Sequence, residues 1–398
     1  MCKGSGLLGL AVSLLVAAFG CEDNNSAARD GGAGATGRGG GPATGAGGAG
    51  GMAGSSPAAG APGTTGVAGI GGAVGAAGAS AGGATGAAGA GGAGTAGAGG
   101  GSACGDPLTH CSGTMNGTWC LDTVSHPSND SYMGFWANRP DDAWLVGGDF
   151  STGIVPNATG LYAHFDGCAW TVTPRPDLPQ LLGVWEAAPN DAWIVGSSGN
   201  AFHWNGSALT AVPVPGATIL NAVHGTSSTD VWAVGAGGLF HWNGSAWSQS
   251  STASGNDVWA VAPNDVWVAS GATDALHFDG TTWTATPLTD FGLFAIWADG
   301  TQAYAGGEGE ALFHFTGGSW TTLQGRGGSS QGIIDIGGFG TDIFAPGNSD
   351  IFRLSGNTFT PITDGPNAGQ FVRYRRVWVS PAQIWFANGD GNVAYRSR

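Results

Sequence analysis

From Trp119 to the final Arg398 the chain alternates short apolar runs with polar turns, and the runs repeat. One phrase is an acidic residue followed by an apolar strand whose third position is aromatic. It reads Asp142-Ala143-Trp144-Leu145-Val146-Gly147, Asp191-Ala192-Trp193-Ile194-Val195-Gly196, Asp230-Val231-Trp232-Ala233-Val234-Gly235 and Asp265-Val266-Trp267-Val268. Weaker copies stand at Gln302-Ala303-Tyr304, Asp342-Ile343-Phe344 and Gln383-Ile384-Trp385. With the aromatic as register, positions 144, 193, 232, 267, 304, 344 and 385 are separated by 49, 39, 35, 37, 40 and 41 residues, which makes seven units.

A second phrase follows each copy, as in His164-Phe165-Asp166-Gly167-Cys168-Ala169-Trp170, His241-Trp242-Asn243-Gly244-Ser245-Ala246-Trp247 and His277-Phe278-Asp279-Gly280-Thr281-Thr282-Trp283. Asp-Gly or Asn-Gly between apolar runs predicts a hairpin, with a type I′ turn in which both central residues have positive φ. A third phrase precedes the acidic residue: Phe135-Trp136, Val184-Trp185, Val258-Trp259, Ile296-Trp297 and Val377-Trp378. Each unit therefore reads as four short strands, and four strands at a period near forty residues predict an all-β, seven-bladed β-propeller. The last unit stops short of its fourth strand. Met115-Asn116-Gly117-Thr118-Trp119 supplies that strand from the other end, so an N-terminal strand should close the ring and hide its edges.

Residues 31–103 break the pattern, with 32 Gly, 23 Ala and one charge, Arg38. They hold too little apolar side chain to offset the entropy of ordering, so 21–103 is expected to be a disordered Gly/Ala-rich tether. Its root-mean-square reach is about 50 Å. Ahead of it lie Lys3, an apolar run from Leu7 to Phe19 and the small residues before Cys21, which is the layout of a secretory signal over residues 1–20. Ala18-Phe19-Gly20-Cys21 resembles a lipoprotein cleavage site, which implies lipidation at Cys21; Phe19 departs from the usual small residue, leaving periplasmic or soluble secretion as the alternative to an outer-membrane or cell-surface lipoprotein. A lipid would be the sole membrane anchor.

Charge narrows the partners. The stretch 104–398, the expected propeller domain, carries 24 acidic residues against nine Arg and no Lys. That balance argues against a nucleic-acid partner, because phosphate binding relies on clustered cations. Arg373, Arg375, Arg376, Arg396 and Arg398 cluster near the C-terminus and are read as a counterweight to acidic neighbours. Cys104, Cys111, Cys120 and Cys168 are even in number and have neither a Cys-x-x-Cys pair nor a His read as standing at ligand spacing, so two disulfides are expected rather than a metal site, with three connectivities open.

The repeats resemble those of exported bacterial propeller lipoproteins reading Asp-Val-Trp-x-Val-Gly and His-Trp-[Asp/Asn]-Gly-x-x-Trp, and more distantly the Asp-box of bacterial neuraminidases. They lack the leading Ser and the residue between Asp and Gly of an Asp-box. The neuraminidase likeness would imply three Arg, a Tyr nucleophile with a Glu partner, and an Asp acid. Only Glu186, Glu308 and Glu310 occur after Cys104, and the Phe/Tyr-Arg-Ile-Pro motif is missing.

Function should lie where the repeats break. The recurring Asp residues are expected to accept backbone N–H groups in the turn before their strand, and the recurring His residues to pack and hydrogen-bond between strands. Loops joining blades gather on one face around the channel, and they bring Arg175, Asp177, Arg326, Gln331, Asp364, Arg373 and Tyr374 forward as candidate binding residues. The expectation is a monomeric envelope binding or scaffold module for a protein or glycan, with no cofactor and no metal. A carbohydrate-active enzyme and an envelope assembly factor are the alternatives.

Overall fold

The computed structural model describes residues 111–398, apart from 112, 156–157, 328–331, 348–349, 356 and 367–373. The segments 1–20 and 21–103, with Cys21 and Cys104, lie outside the described residues, as do Gln331 and Arg373. Among the described residues there are strands and turns and no helix.

Seven antiparallel sheets form a seven-bladed β-propeller. After β1 (Thr114–Asn116) and β2 (Trp119–Thr123), blade one is β3 (Asp130–Arg139), β4 (Asp142–Asp149), β5 (Gly160–Phe165) and β6 (Trp170–Arg175). Blade two is β7 (Leu181–Ala188), β8 (Asp191–Gly196), β9 (Asn200–Trp204) and β10 (Leu209–Pro213). Blade three is β11 (Leu220–Ser227), β12 (Asp230–Gly235), β13 (Gly238–Trp242) and β14 (Trp247–Ser251). Blade four is β15 (Gly255–Ala262), β16 (Asp265–Ser270), β17 (Asp274–Phe278) and β18 (Trp283–Pro287). Blade five is β19 (Leu293–Ala298), β20 (Gln302–Gly307), β21 (Leu312–Thr316) and β22 (Ser319–Gln324). Blade six is β23 (Gly337–Phe339), β24 (Asp342–Pro346), β25 (Ile351–Ser355) and β26 (Thr358–Pro361). Blade seven combines β27 (Arg376–Val379), β28 (Gln383–Ala387) and β29 (Asn392–Ser397) with β2 and β1.

An N-terminal strand closes the ring as expected, but it begins where the Met115–Trp119 phrase ends: β2 pairs with β29 in the register Cys120↔Tyr395, and Met115 and Asn116 lie in β1. The added fifth strand β1, folded back on β2, has no counterpart in the repeat and was not anticipated. A disulfide joins Cys111 to Cys120, with Cα atoms 5.5 Å apart. Cys168 is also disulfide-bonded.

Apolar second strands form the interior. Trp144, Trp193, Trp232 and Trp385 are fully buried, and each lies at the blade-to-blade seam. Trp193 meets Trp247, Trp232 meets Trp283 and Trp267 meets Trp320, at ring centroids 5.3, 5.6 and 5.8 Å apart. The ring closes through the same contact, since Trp385 of blade seven packs on Phe165 of blade one at 5.8 Å. Such aromatic pairs contribute beyond their buried area.

Two expectations about turns change. The Asp-Gly and Asn-Gly hairpins of blades one to four are four-residue loops rather than type I′ turns, whereas Gly317-Gly318 of blade five is a two-residue loop with positive φ at both positions. In blade one Phe165 pairs with Trp170, and of the Asp166-Gly167 dipeptide only the glycine has positive φ, 87°. The aspartate stays in ordinary backbone geometry because its side chain does the turning, its Oδ1 accepting the N–H groups of Cys168 and Ala169. The recurring strand-initial Asp residues, in contrast, pair with the recurring His. His164, His203, His241 and His277 donate from Nε2 to Asp142, Asp191, Asp230 and Asp265 at 2.7–2.9 Å. The reason is register: Trp144 lies opposite His164, which puts the imidazole beside the carboxylate two residues upstream. Each ring also lies on its Trp, with centroids 4.0–4.6 Å apart.

Candidate functional site

The innermost strands surround the central channel, and most of them are irregular at one place. A register shift falls between Tyr132 and Gly134, Leu181 and Gly183, Leu220 and Ala222, Gly255 and Asp257, and Leu293 and Ala295. A β-bulge at that position turns two consecutive side chains toward the same side and bends the strand. It therefore adds Met133, Leu182, Asn221, Asn256 and Phe294 to the channel wall.

Aligned on the position that faces the second-strand aromatic, the residue two places earlier in each inner strand is Gly134, Gly183, Ala222, Asp257, Ala295, Asp335 and Arg376. Four blades have glycine or alanine there. A Cβ on Gly134 would come within 2.8 Å of the Leu182 carbonyl oxygen, so close blade contact keeps that position small. Blades four, six and seven place charged groups at this level instead, beside a cavity of about 130 Å³, room for a few water molecules. Two residues further along, Trp136, His224 and Trp259 line the same cavity.

Each charged side chain also ties two blades together. Asp257 accepts the N–H of Val258 and, across the seam, that of Ile296, both at 2.9 Å. Asp335 accepts from Ile336 and from Val377 of the next blade, both at 2.9 Å. Arg376 donates from Nε to the Met133 carbonyl at 2.7 Å and from Nη1 to that of Ile334 at 3.1 Å, joining blade seven to blade one and reaching back toward blade six. Asn221 and Asn256 do the same in the amide register, donating to Gly255 and Leu293.

The channel shifts the proton affinities of these groups. Burial, reinforced by the charge of Asp335, pushes the Asp257 carboxyl up to about 7, against the Ile296 N–H and Arg376, which favour the anion. Burial also raises Asp335, while Arg376 and two backbone N–H groups pull it down. His224, 7% exposed, is held neutral to about 3 by burial. Its Nδ1 accepts the Ala260 N–H at 3.1 Å, which places the ring proton on Nε2. The imidazole stacks on Trp259 at 4.1 Å and meets Trp136 edge-on at 5.2 Å. Near neutral pH the channel thus holds the Asp257 carboxyl, part protonated, a second buried carboxyl, Asp335, whose proton affinity is raised, one guanidinium and a neutral imidazole against aromatic walls. That set can exchange a proton and can hold a polar group with both donors and acceptors.

The residues singled out from the connecting loops do not converge on this cavity. Arg175 donates twice to Asp177, at 2.9 and 2.7 Å, as an exposed pair at the end of β6. Arg326 is bound to Glu308 and lies over the Phe291 ring at 5.1 Å. Asp364 is tied to the outer part of blade seven, its carbonyl accepting the Trp119 Nε1–H at 2.7 Å and its carboxylate pairing with Arg396 at 2.9 Å. Tyr374 is a correction: it is 3% exposed and packs among Trp119, Phe344, Val377 and Phe386, because the aromatic just ahead of β27 fills the seam between blades six and seven. Of the C-terminal arginines, Arg396 and Arg398 do pair with acids, whereas Arg376 turns into the channel.

Sequence reading missed Asp257, Asp335 and Arg376. The signal that finds them is the inner-strand alignment itself, a column of small residues interrupted by three charges. Among the described residues no group of three His, Cys, Asp or Glu is arranged to hold a metal ion.

No protein-family model matches the chain, and no curated protein is similar to it. Solved structures are. YCF48 bound to D1 peptide is 16% identical with a TM-score of 0.54, covering 72% of this chain and 97% of that one. A catalytically inactive virginiamycin B lyase from Staphylococcus aureus with quinupristin is 11% identical, with a TM-score of 0.55 over 70% of this chain and 99% of that one. The WD40 repeats of RRP9 are 8% identical, with a TM-score of 0.55 over 70% and 97%. At these identities the likeness is one of fold, and the fold is that of the β-propellers.

Proposed function

We propose that the propeller is a binding or scaffold module of the cell envelope, exported and held by a lipid on Cys21, with 21–103 as its tether. The ligand, a protein segment or a glycan, meets the mouth of the channel. The observation that carries this reading is the replacement of glycine and alanine by Asp257, Asp335 and Arg376 at one level of the inner wall, around a cavity. A packed ring alone does not require charges there, and buried charges are costly unless they are paired and bonded. The likeness of fold to YCF48 bound to D1 peptide supports a peptide-sized ligand as one form of the reading.

A second reading, a carbohydrate-active enzyme, is favoured by the Asp257 carboxyl at about 7 beside Asp335, since a general acid works best near the ambient pH. It ranks lower because both oxygens of each carboxylate already accept backbone N–H groups. The test is binding of the purified protein to a glycan array and to envelope extracts, alongside the Asp257→Asn and Arg376→Gln variants. Saturable binding that falls about tenfold in folded variants supports the channel mouth. Binding unaffected by either variant overturns it, and turnover of a fluorogenic glycoside, lost in Asp257→Asn, moves the second reading to first place. Cys21→Ser should release the protein into soluble fractions, and continued membrane association would refute the lipid anchor.

A further inference from the structure

At the seam of blades six and seven the repeat is interrupted in a different way. The strand-initial acid, its imidazole partner and the aromatic beneath them become Asp342, Arg353 and Phe344 in blade six. In blade seven the third-strand position that carries Phe165, Trp204, Trp242, Phe278 and Phe315 in blades one to five, and Leu354 in blade six, is Arg396. Those rings pack on the preceding blade's aromatic, as Phe278 does on Trp232 at 5.3 Å. Between blades six and seven the seam therefore opens into a cleft of about 440 Å³, lined by Thr118, Asp342, Phe344, Arg353, Arg396 and Arg398.

Three of the nine arginines that follow Cys104 meet in this cleft, on a domain that is otherwise strongly acidic. Two carboxylates answer them: Asp342 takes Arg353 on one oxygen and Arg398 on the other, and Asp364 takes Arg396. Among the described residues, three guanidinium groups thus share two side-chain carboxylates. Each guanidinium also lies over a ring, Arg353 over Phe344 at 5.6 Å, Arg396 over Trp119 at 4.5 Å and Arg398 over Phe339 at 5.1 Å from the centroid. Stacking and pairing fix the orientation of three flexible side chains before any ligand arrives. Each guanidinium offers about five N–H donors, and the bonds to Asp342, Asp364, Thr118 and the Phe339 carbonyl use a minority of them.

We propose that this cleft is a binding site for an oxyanion, in first place the carboxylate of a small acidic ligand such as a uronate, whose planar fork matches a guanidinium edge. The site is separate from the channel and does not depend on the function assigned to it. Isothermal titration of the whole protein at low ionic strength, with sodium D-glucuronate, sulfate, phosphate and neutral glucose, tests it. The expected result is saturable binding of glucuronate that weakens as sodium chloride is added. It should fall about fivefold or more in Arg353→Gln and in Arg396→Gln, and stay unchanged in Arg175→Gln, whose guanidinium is paired on blade one. Equal binding of sulfate or phosphate would identify a general oxyanion site, with the same arginines required. If the glutamine variants do not fold, Arg353→Lys keeps the charge and removes the fork, and weaker binding than the parent is expected. No saturation with any of the three anions, equal binding of glucose, or an equal loss in Arg175→Gln would overturn the proposal.

Discussion

The Asp–His–Trp sets are built like small hydrogen-bonded sandwiches, and their energetics can be separated residue by residue. In blade three, Asp230 is 6% exposed and receives His241 at 2.7 Å and the Thr226 hydroxyl. Burial alone would raise this carboxyl, but the bonds from His241 and Thr226 outweigh it and hold it below the usual carboxylate range. Asp230→Ala leaves both donors unmatched and should cost about 1–3 kcal/mol in urea unfolding at neutral pH. Glu186 behaves oppositely. It is 2% exposed, lies against Asp142 and the Trp144 indole, and burial with the Asp142 charge pushes its carboxyl up to about 9. The folded protein thus keeps a proton that the unfolded chain releases near its ordinary value of 4.5. Its contribution to stability is complete below that value and is lost as pH rises toward about 9. Glu186→Gln, neutral throughout, should melt like the parent at acid pH and higher than it at pH 8, by a margin on the order of a few kcal/mol at ~1.4 kcal/mol per unit. Thermal melts across that range would show the curves diverging, and parallel curves would refute the assignment.

At the scale of the strand, what the sequence made legible was whatever recurs. Second strands and hairpins repeat the same residue types, so their number, spacing and the closing role of Trp119 could be read without coordinates. The turn type could not, because Asp-Gly is compatible with both a two-residue loop and the four-residue loop that the Asp166 side chain organises. Inner strands were legible only as far as their Trp. Their bulges depend on pairing with a neighbour, and Asp257, Asp335 and Arg376 become one cluster only once the register is known. The strand β1 was hidden for a related reason: it has no repeat to belong to, and the Cys111–Cys120 bridge holds its short hairpin against β2. Replacing both cysteines by serine should cost about 2–3 kcal/mol by the loop-entropy account. Urea midpoints of the two forms measured under oxidising conditions would check this, and identical midpoints would show the hairpin to be held by pairing alone.

For the molecule as a whole, stability resides in seams, because no blade can bury both faces of its sheet by itself. Most seams are aromatic, whereas those joining blades four to five, six to seven and seven to one are also latched by charged groups in the channel. Arg376 contacts two blades besides its own and offsets the charge of both channel aspartates. Arg376→Ala should therefore cost about 3 kcal/mol or more. It should also raise Asp257 further above about 7, so that the loss is greater at pH 8 than at pH 5. Urea unfolding at the two pH values measures this directly, and a pH-independent loss would mean that Arg376 acts through packing alone.

Closure by β2 has a consequence in time as well as in space. The pair Cys120↔Tyr395 joins a strand made before blade one to one made after blade six, so among the described sheets blade seven is the one that cannot assemble from neighbouring chain. Blades one to six are local in sequence and can form as they emerge, while the ring waits with β2 and the β29 edge both unpaired. Contacts that distant in sequence are slow to form, and open strand edges in the interval invite association between chains. Moving β1 and β2 to follow Arg398, in a circular permutant that starts at blade one, turns that long-range search into a hairpin. The permutant should refold faster and aggregate less at equal concentration, with native stability little changed; equal refolding rates would place the slow step elsewhere in the ring.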